Sequence, residues 1–303
     1  MLLATYQGEA FLKQQLDSLN GQSYTNWQLH ISDDGSTDRT RQIVADFIES
    51  TAQLVTLCDG PCKGVTHNFF NLIHTVPNRQ TALYAFCDQD DVWLPDKLHD
   101  AVAHFQKQKL AADQLYLYCT RSTIVDTHLN YLGLSAVPRK RLGFGNALVQ
   151  NIASGNTMVF NARLLEALRL IDPKNSVLHD WTAYQVATGC GGVLHFSEQP
   201  SLLYRQHGAN LIGSNTGFGN RINRLHFLLR GGYQGWSLQT ICSMRKLQLV
   251  LAPENAQLLH LFESVHQKPN VKQRMSLYEN GLLWRQTRSG QASLLFALLF
   301  KLL

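Results

Sequence analysis

Asp88-Gln89-Asp90-Asp91 places three carboxylates within four residues, directly after the apolar run Tyr84-Ala85-Phe86-Cys87. Like charges this close repel, and a structural role seldom requires them; a divalent cation held by hard oxygen ligands turns the repulsion into affinity. Mg²⁺ commonly combines one or two protein carboxylates with substrate phosphates, so the expected ligand is a metal–diphosphate. The plainer alternative is a solvated acidic turn. A second cluster, Ser32-Asp33-Asp34-Gly35-Ser36-Thr37-Asp38, follows the alternating Trp27, Leu29 and Ile31. Asp and Gly there suit a turn, and Thr37 or Asp38 suits the cap of a following helix. Cys58, Cys62 and His67 lack a fourth zinc ligand at normal spacing, and packing explains them better than metal.

Both acidic clusters sit just past strand candidates, where open parallel sheets place their ligand crevice. Short apolar strands alternate with helical patterns from the start. Leu2-Leu3-Ala4 precedes a helix through Phe11, Leu12, Leu16 and Leu19, then the strand of Trp27, Leu29 and Ile31. A helix around 43–48, a strand at 54–57, a helix around 69–73 and a strand at 82–87 follow. Pro95 suits the first turn of a helix reaching about residue 109. A strand at 115–121, a mobile basic loop at 137–146, a strand near 157–160, helices near 162–170 and 180–187 and a strand at 193–196 come next. From about residue 217 the pattern is helical. Such alternation predicts an α/β fold, with a mostly parallel sheet covered by helices on both faces.

The 303 residues allow one large domain or two modest ones, and 45% apolar with 16% charged residues is the composition of a globular chain. Residues 1–200 carry 15 basic and 19 acidic groups, residues 201–303 carry 12 and 3. The expected division is a catalytic region over 1–214 and a basic, mainly helical region over 215–303. No apolar run approaches the roughly 18–20 residues that cross a bilayer, and no basic-then-apolar leader opens the chain. Six cysteines without a CxxC pair fit a reducing compartment. The expectation is a cytoplasmic protein, neither exported nor membrane-spanning. Residues 294–303 are too short to span and fit either docking on the core or a bilayer interface. Arg221, Arg224, Arg230, Arg245, Lys246, Lys272, Arg274, Arg285 and Arg288, with Trp236 and Trp284, suit an anionic inner-membrane surface. No nucleic-acid-binding motif accompanies the charge, so nucleic acid is not expected as a partner.

Three ordered motifs resemble glycosyltransferase family 2, nucleotide-sugar enzymes of the GT-A fold. They are Ala4-Thr5-Tyr6, the run 32–38, and Phe86-Cys87-Asp88-Gln89-Asp90-Asp91-Val92-Trp93 followed by Pro95-Asp96-Lys97-Leu98. The form Asp-Gln-Asp-Asp-Val-Trp is most similar to bacterial rhamnosyltransferase-type members, and the resemblance covers about residues 1–214. It implies a nucleotide pocket of Thr5, Tyr6 and Glu9, with Asp34 on the base. Asp88 and Asp90 then form the ribose and metal side of the DXD motif, and Asp91 and Trp93 support the pocket. Residues 64–68, ending in Asn68, resemble the loop near the nucleotide, although Cys62 stands where an Asn is common. The lead-in before Thr5 is shorter than the family usually shows, which points to an upstream start.

The resemblance extends downstream. Ser154-Gly155-Asn156-Thr157-Met158 is similar to the segment lining the sugar and acceptor, and His179-Asp180-Trp181 to the catalytic segment, with Asp180 at the base position. Inverting transfer needs a group that takes the acceptor hydroxyl's proton, and a positioned carboxylate serves; the other role open to Asp180 is a helix cap. Tyr204-Arg205-Gln206-His207-Gly208 resembles a segment that closes over the donor, with Arg205 on phosphate and His207 on metal or phosphate. The implied activity is metal-dependent inverting transfer with Mg²⁺ or Mn²⁺. A sugar such as rhamnose moves from a dTDP- or UDP-linked donor to a glycan or lipid-linked acceptor in cell-surface polysaccharide synthesis. A nucleotidyltransferase would use the same carboxylates but normally a basic glycine-rich loop as well, and none is evident. A non-catalytic carbohydrate-binding protein on the same fold is the third reading.

Overall fold

The computed structural model describes residues 1–207, 232–267 and 270–303. Gly208, Arg221, Arg224, Arg230, the expected 214/215 boundary and the expected start of helix near 217 lie outside the described residues. The alternation appears as β1 (Leu2–Thr5), α1 (Leu12–Asn20), β2 (Gln28–Asp33), α2 (Thr40–Ser50), β3 (Leu54–Asp59), α3 (Val65–Thr75) and β4 (Leu83–Cys87). Next come β5 (Val92–Trp93), α4 (Lys97–Lys107), β6 (Tyr116–Val125), β7 (Tyr131–Leu134), α5 (Phe144–Ala147), a 3-10 turn (Gly155–Thr157), β8 (Val159–Asn161), α6 (Ala162–Leu168), α7 (His179–Gly189) and β9 (Val193–Arg205). The C-terminal region contributes α8 (Gly232–Lys246), α9 (Pro253–Gln267), α10 (Val271–Glu279) and α11 (Arg288–Leu299).

The strands form one sheet in the order β3-β2-β1-β4-β8-β6-β9-β5, with β7 paired to β6. The first four run parallel, as the alternation predicts, and β6 pairs β9 in parallel. β8 runs antiparallel to β4 and β6, β5 antiparallel to β9, and β7 antiparallel to β6, so the sheet is mixed. The link from β6 to β7 is too short for the crossover of a dozen or more residues that a parallel neighbour requires.

Successive residues of β1 face opposite cores. Leu2 packs with Phe69, Phe70 and Ile73 of α3, while Leu3 packs with Leu12 and Leu16 of α1 and Leu98 of α4. Burial on both faces explains why β1 reads as an unbroken apolar run. Each such side chain stabilises the fold by roughly 1.5–3 kcal/mol. The C-terminal helices close over the α3 face: Ile241, Phe262, Leu294 and Leu298 belong to the same cluster as Leu2. Residues 294–303 therefore dock on the core through Leu294, Ala297, Leu298 and Leu303, while Phe296, Leu299 and Phe300 stay exposed.

The basic loop expected to be mobile is tied to this region. The Arg139 and Lys140 amides both donate to Oε1 of Gln286, at 2.9 and 2.7 Å. A Cβ on Gly145 would lie 1.9 Å from the carbonyl oxygen of Leu282, so only glycine fits the seam.

Candidate active site

Parallel strands joined by crossovers end on one edge, and that edge gathers the motifs. Thr5 is in register with Asp33, and Leu3 with Cys87, so residues 5–9, 33–38 and 88–91 leave the sheet side by side. Gln89 links two of these loops, its Oε1 accepting from Tyr6 N and its Nε2 donating to Tyr6 O, both at 2.9 Å. The Tyr6 side chain is left 55% exposed at the mouth. Glu9 accepts from Arg39 N at 3.0 Å and Gln7 from Thr37 N at 2.9 Å, which fastens the first loop to the entry of α2. Thr5 donates to Asp33 Oδ1 at 3.0 Å.

Asp34 is buried, and its two oxygens accept from Cys62 N at 2.6 Å and Gly64 N at 2.7 Å. Cys62 meets Asp34 through its backbone amide, with φ 53° in the left-handed region. Asn68 closes the base of this pocket, its Nδ2 donating to Thr5 O at 3.3 Å and Ser32 O at 2.8 Å.

The carboxylates of residues 88–91 have separate surroundings. Asp91 is fully buried; its Oδ2 accepts from Asn156 Nδ2 at 2.6 Å and its Oδ1 from Arg205 N at 3.3 Å. Asp90 is partly accessible and meets His207, with Nε2 2.7 Å from Oδ2. Burial, then the charges of Asp91, Asp90 and Asp180, push the Asp88 carboxyl well above the usual range. Among the described residues no three His, Cys, Asp or Glu side chains surround one point. A cation here would draw on Asp90 and His207, with Asp88 alongside, and complete its shell with diphosphate oxygens and water, which is the usual Mg²⁺ pattern. The paired carboxylate and imidazole of Asp90 and His207, 2.7 Å apart and partly accessible, are the donors that fit such an ion.

Arg205, which the resemblance puts on phosphate, has protein acceptors for its guanidinium. It is 1% exposed, and its guanidinium donates to Asp90 O at 2.9 Å, Thr127 O at 2.6 Å and Gln14 Oε1 at 2.5 Å over the ring of Phe11. The structure places it beneath the acidic loop as a clamp. Gln14 and Thr127 have no counterpart in the sequence expectations, and Gln89 enters them only as part of the acidic motif, because single amides and a backbone carbonyl leave no local pattern.

On the other side, Asp180 lies in the first turn of α7. Its Oδ1 accepts from Trp181 N at 2.6 Å and its Oδ2 from Gly155 N at 3.1 Å. Burial outweighs these bonds and pushes its carboxyl up to about 6. His179 is 6% exposed, stacked on Phe69 at 3.8 Å and edge-on to Phe86 at 4.8 Å. Burial pulls it down to about 3, so it is neutral. Trp181 donates to Ala147 O at 2.6 Å and holds α7 against α5. Of the residues expected around the sugar, Gly155 borders Asp180, and Gly155, Asp91, Trp93, Asn156, His179 and Trp181 are all buried.

This arrangement belongs with known proteins. A family model described as Glycosyl transferase family 2 matches residues 2–169. A dTDP-rhamnosyl transferase, RfbG, of Shigella flexneri is 28% identical over 249 residues, 77% of this chain and 81% of its own. A UDP-Glc:alpha-D-GlcNAc-diphosphoundecaprenol beta-1,3-glucosyltransferase, WfgD, of Escherichia coli is 28% identical over 37% of this chain and 42% of its own. Among solved structures, S. aureus TarS 1-349 in complex with UDP-GlcNAc aligns over 99% of this chain and 90% of its own, with TM-score 0.58 and 13% sequence identity. The family match covers more than half the chain, the fold likeness agrees with it, and the chain belongs to glycosyl transferase family 2 as a glycosyltransferase of GT-A-like fold.

Proposed function

We propose that this glycosyltransferase carries out metal-dependent, inverting transfer of a sugar, rhamnose above all, from a dTDP- or UDP-linked donor to a glycan or lipid-linked glycan acceptor in cell-surface polysaccharide synthesis. One observation carries the reading. The turn at residues 155–156 bonds Asp180 through the Gly155 amide and Asp91 through the Asn156 side chain, so the base and the acidic loop face one another across two residues. The 28% identical relative of Shigella flexneri, a dTDP-rhamnosyl transferase, supports a dTDP-linked rhamnosyl donor.

The nucleotide lies against Thr5, Tyr6, Glu9, Asn68 and Asp34, with Asp88 on the ribose. Asp90 and His207 would hold Mg²⁺ or Mn²⁺, which supplies positive charge to the departing diphosphate. Arg205 keeps the carbonyl of Asp90, and so the carboxylate beside it, in place. Asp180 takes the acceptor hydroxyl proton as that oxygen forms its bond to the anomeric carbon. The carbon–oxygen bond to the diphosphate breaks, with its electron pair leaving on the phosphate oxygen. Residues 1–214 carry this chemistry in the cytoplasm. The basic region over 215–303 rests on an anionic membrane surface, with Phe296 and Leu299 exposed on α11 and Phe300 exposed just past its end.

The test is hydrolysis of dTDP- and UDP-sugars with and without Mn²⁺ or Mg²⁺. Cation-dependent release of nucleoside diphosphate is expected. Release of pyrophosphate, or turnover indifferent to chelator, overturns the reading.

A further inference from the structure

Lys97 opens α4, and only 2% of it is exposed. Removing an ammonium from water costs several kcal/mol unless its surroundings compensate, and burial pulls this one down to about 8. Its direct partners are neutral. Nζ donates to Asn156 O at 2.9 Å and Ser201 Oγ at 3.2 Å, and lies 4.5 Å from the ring centre of Trp93. A Met of similar length would fill the same space without that desolvation cost.

What the cation holds explains its presence. The Asn156 carbonyl belongs to the 3-10 turn whose Gly155 amide donates to Asp180 and whose Asn156 side chain donates to Asp91. Ser154 Oγ donates to Asn156 Oδ1 at 2.8 Å, which leaves Nδ2 for the Asp91 carboxylate. A rotation of the turn would therefore shift the base and the acidic loop together, and the bond from Lys97, 59 residues away, holds the carbonyl side of the turn against it.

We propose that Lys97 is a positioning residue for sugar transfer: its bond to the Asn156 carbonyl fixes the turn that sets Asp180 in register with the 88–91 loop. The role rests on the site reading given above, with Asp180 as base. It requires that Lys97 act on turnover more than on donor affinity.

The experiment compares wild type, Lys97→Met, Asn156→Ala, the double variant and Asp90→Ala in cation-dependent hydrolysis of dTDP-rhamnose or UDP-glucose, water standing in for the acceptor. Folding is followed by thermal melting and local order by amide hydrogen exchange. Lys97→Met is expected to lose about 10²-fold in kcat, the scale of an ångström-sized misplacement, with donor KM within about threefold. Amide exchange quickens in peptides covering 154–158 and 88–91 while the other strands keep their protection. The double variant is no slower than the worse single one, since both act through one turn. A folded Lys97→Met with near-wild-type kcat, exchange quickened throughout the sheet, or additive losses overturns the role. Lys97→Gln, which keeps a donor on a shorter reach, carries the same expectation if the Met variant fails to fold. Wild-type turnover in Asp90→Ala sinks the site reading itself, whereas an inactive Asp90→Ala beside a fully active Lys97→Met sinks only the role of Lys97.

Discussion

Asp90 and His207, 117 residues apart in the chain, meet at 2.7 Å between Oδ2 and Nε2. The pair joins the loop after β4 to the segment after β9, so a cation held there would tie two remote parts of the chain to one diphosphate. Chelation is expected to abolish turnover, and Mn²⁺ or Mg²⁺ to restore it. Asp90→Ala loses transfer while circular dichroism and melting stay close to wild type, because the side chain is partly accessible and leaves no packed void. Because His207 would supply one of the two protein donors, His207→Ala should raise the cation concentration needed for half-activation.

With Asp180 as the proposed base, the pH profile should follow its carboxyl. Its carboxyl is raised by burial from the ordinary 3.8 to about 6, so the proton-accepting form is populated only above that value. The rate is expected to climb as pH rises through about 6 and then level off, in kcat/KM measured with saturating cation. Asp180→Asn abolishes transfer with the fold intact. Full turnover in that variant rejects the residue as base.

Gly155→Ala reports on the turn. A Cβ there would lie 2.8 Å from His179 Nε2 and 3.1 Å from Asp180 Cβ, and the imidazole cannot give way because it is stacked on Phe69. Overpacking of this kind costs roughly 1–3 kcal/mol. Melting should fall accordingly, and kcat should fall further than that loss of folded enzyme explains. Unchanged kinetics would separate the turn from catalysis.

The exposed Phe296, Leu299 and Phe300 test the membrane reading. Purified protein is expected to co-sediment with anionic vesicles at low salt and to be released as salt screens contributions of about 1 kcal/mol per basic side chain. Phe300→Ser should weaken the binding. Protein that stays in the supernatant at low salt removes the membrane from the account.

The order of elements up to β4 was legible because apolar periodicity is local, and a strand buried on both faces announces itself in four residues, as Leu2–Thr5 does. The acidic motifs were legible for the same reason: Asp88, Asp90 and Asp91 lie within four positions. The two-residue β5 escaped notice because so short a strand carries almost no pattern, β7 because its side chains are mostly exposed rather than buried on two faces, and the antiparallel β8 could not be told from a parallel strand by its composition.

The amino-acid sequence alone therefore determined the α/β alternation, the placing of carboxylates at strand ends and the membership that these motifs imply. Only the tertiary structure decided how those groups are employed. It turned Arg205 inward onto Asp90 O and Gln14, bound Asn156 to Asp91 across 65 residues, and buried Lys97 under the turn. The physical reason is one of range. Strand and helix patterns arise from neighbours a few residues apart, whereas the partner of a buried donor is whichever acceptor the packed elements bring within 3 Å, and no local pattern encodes that.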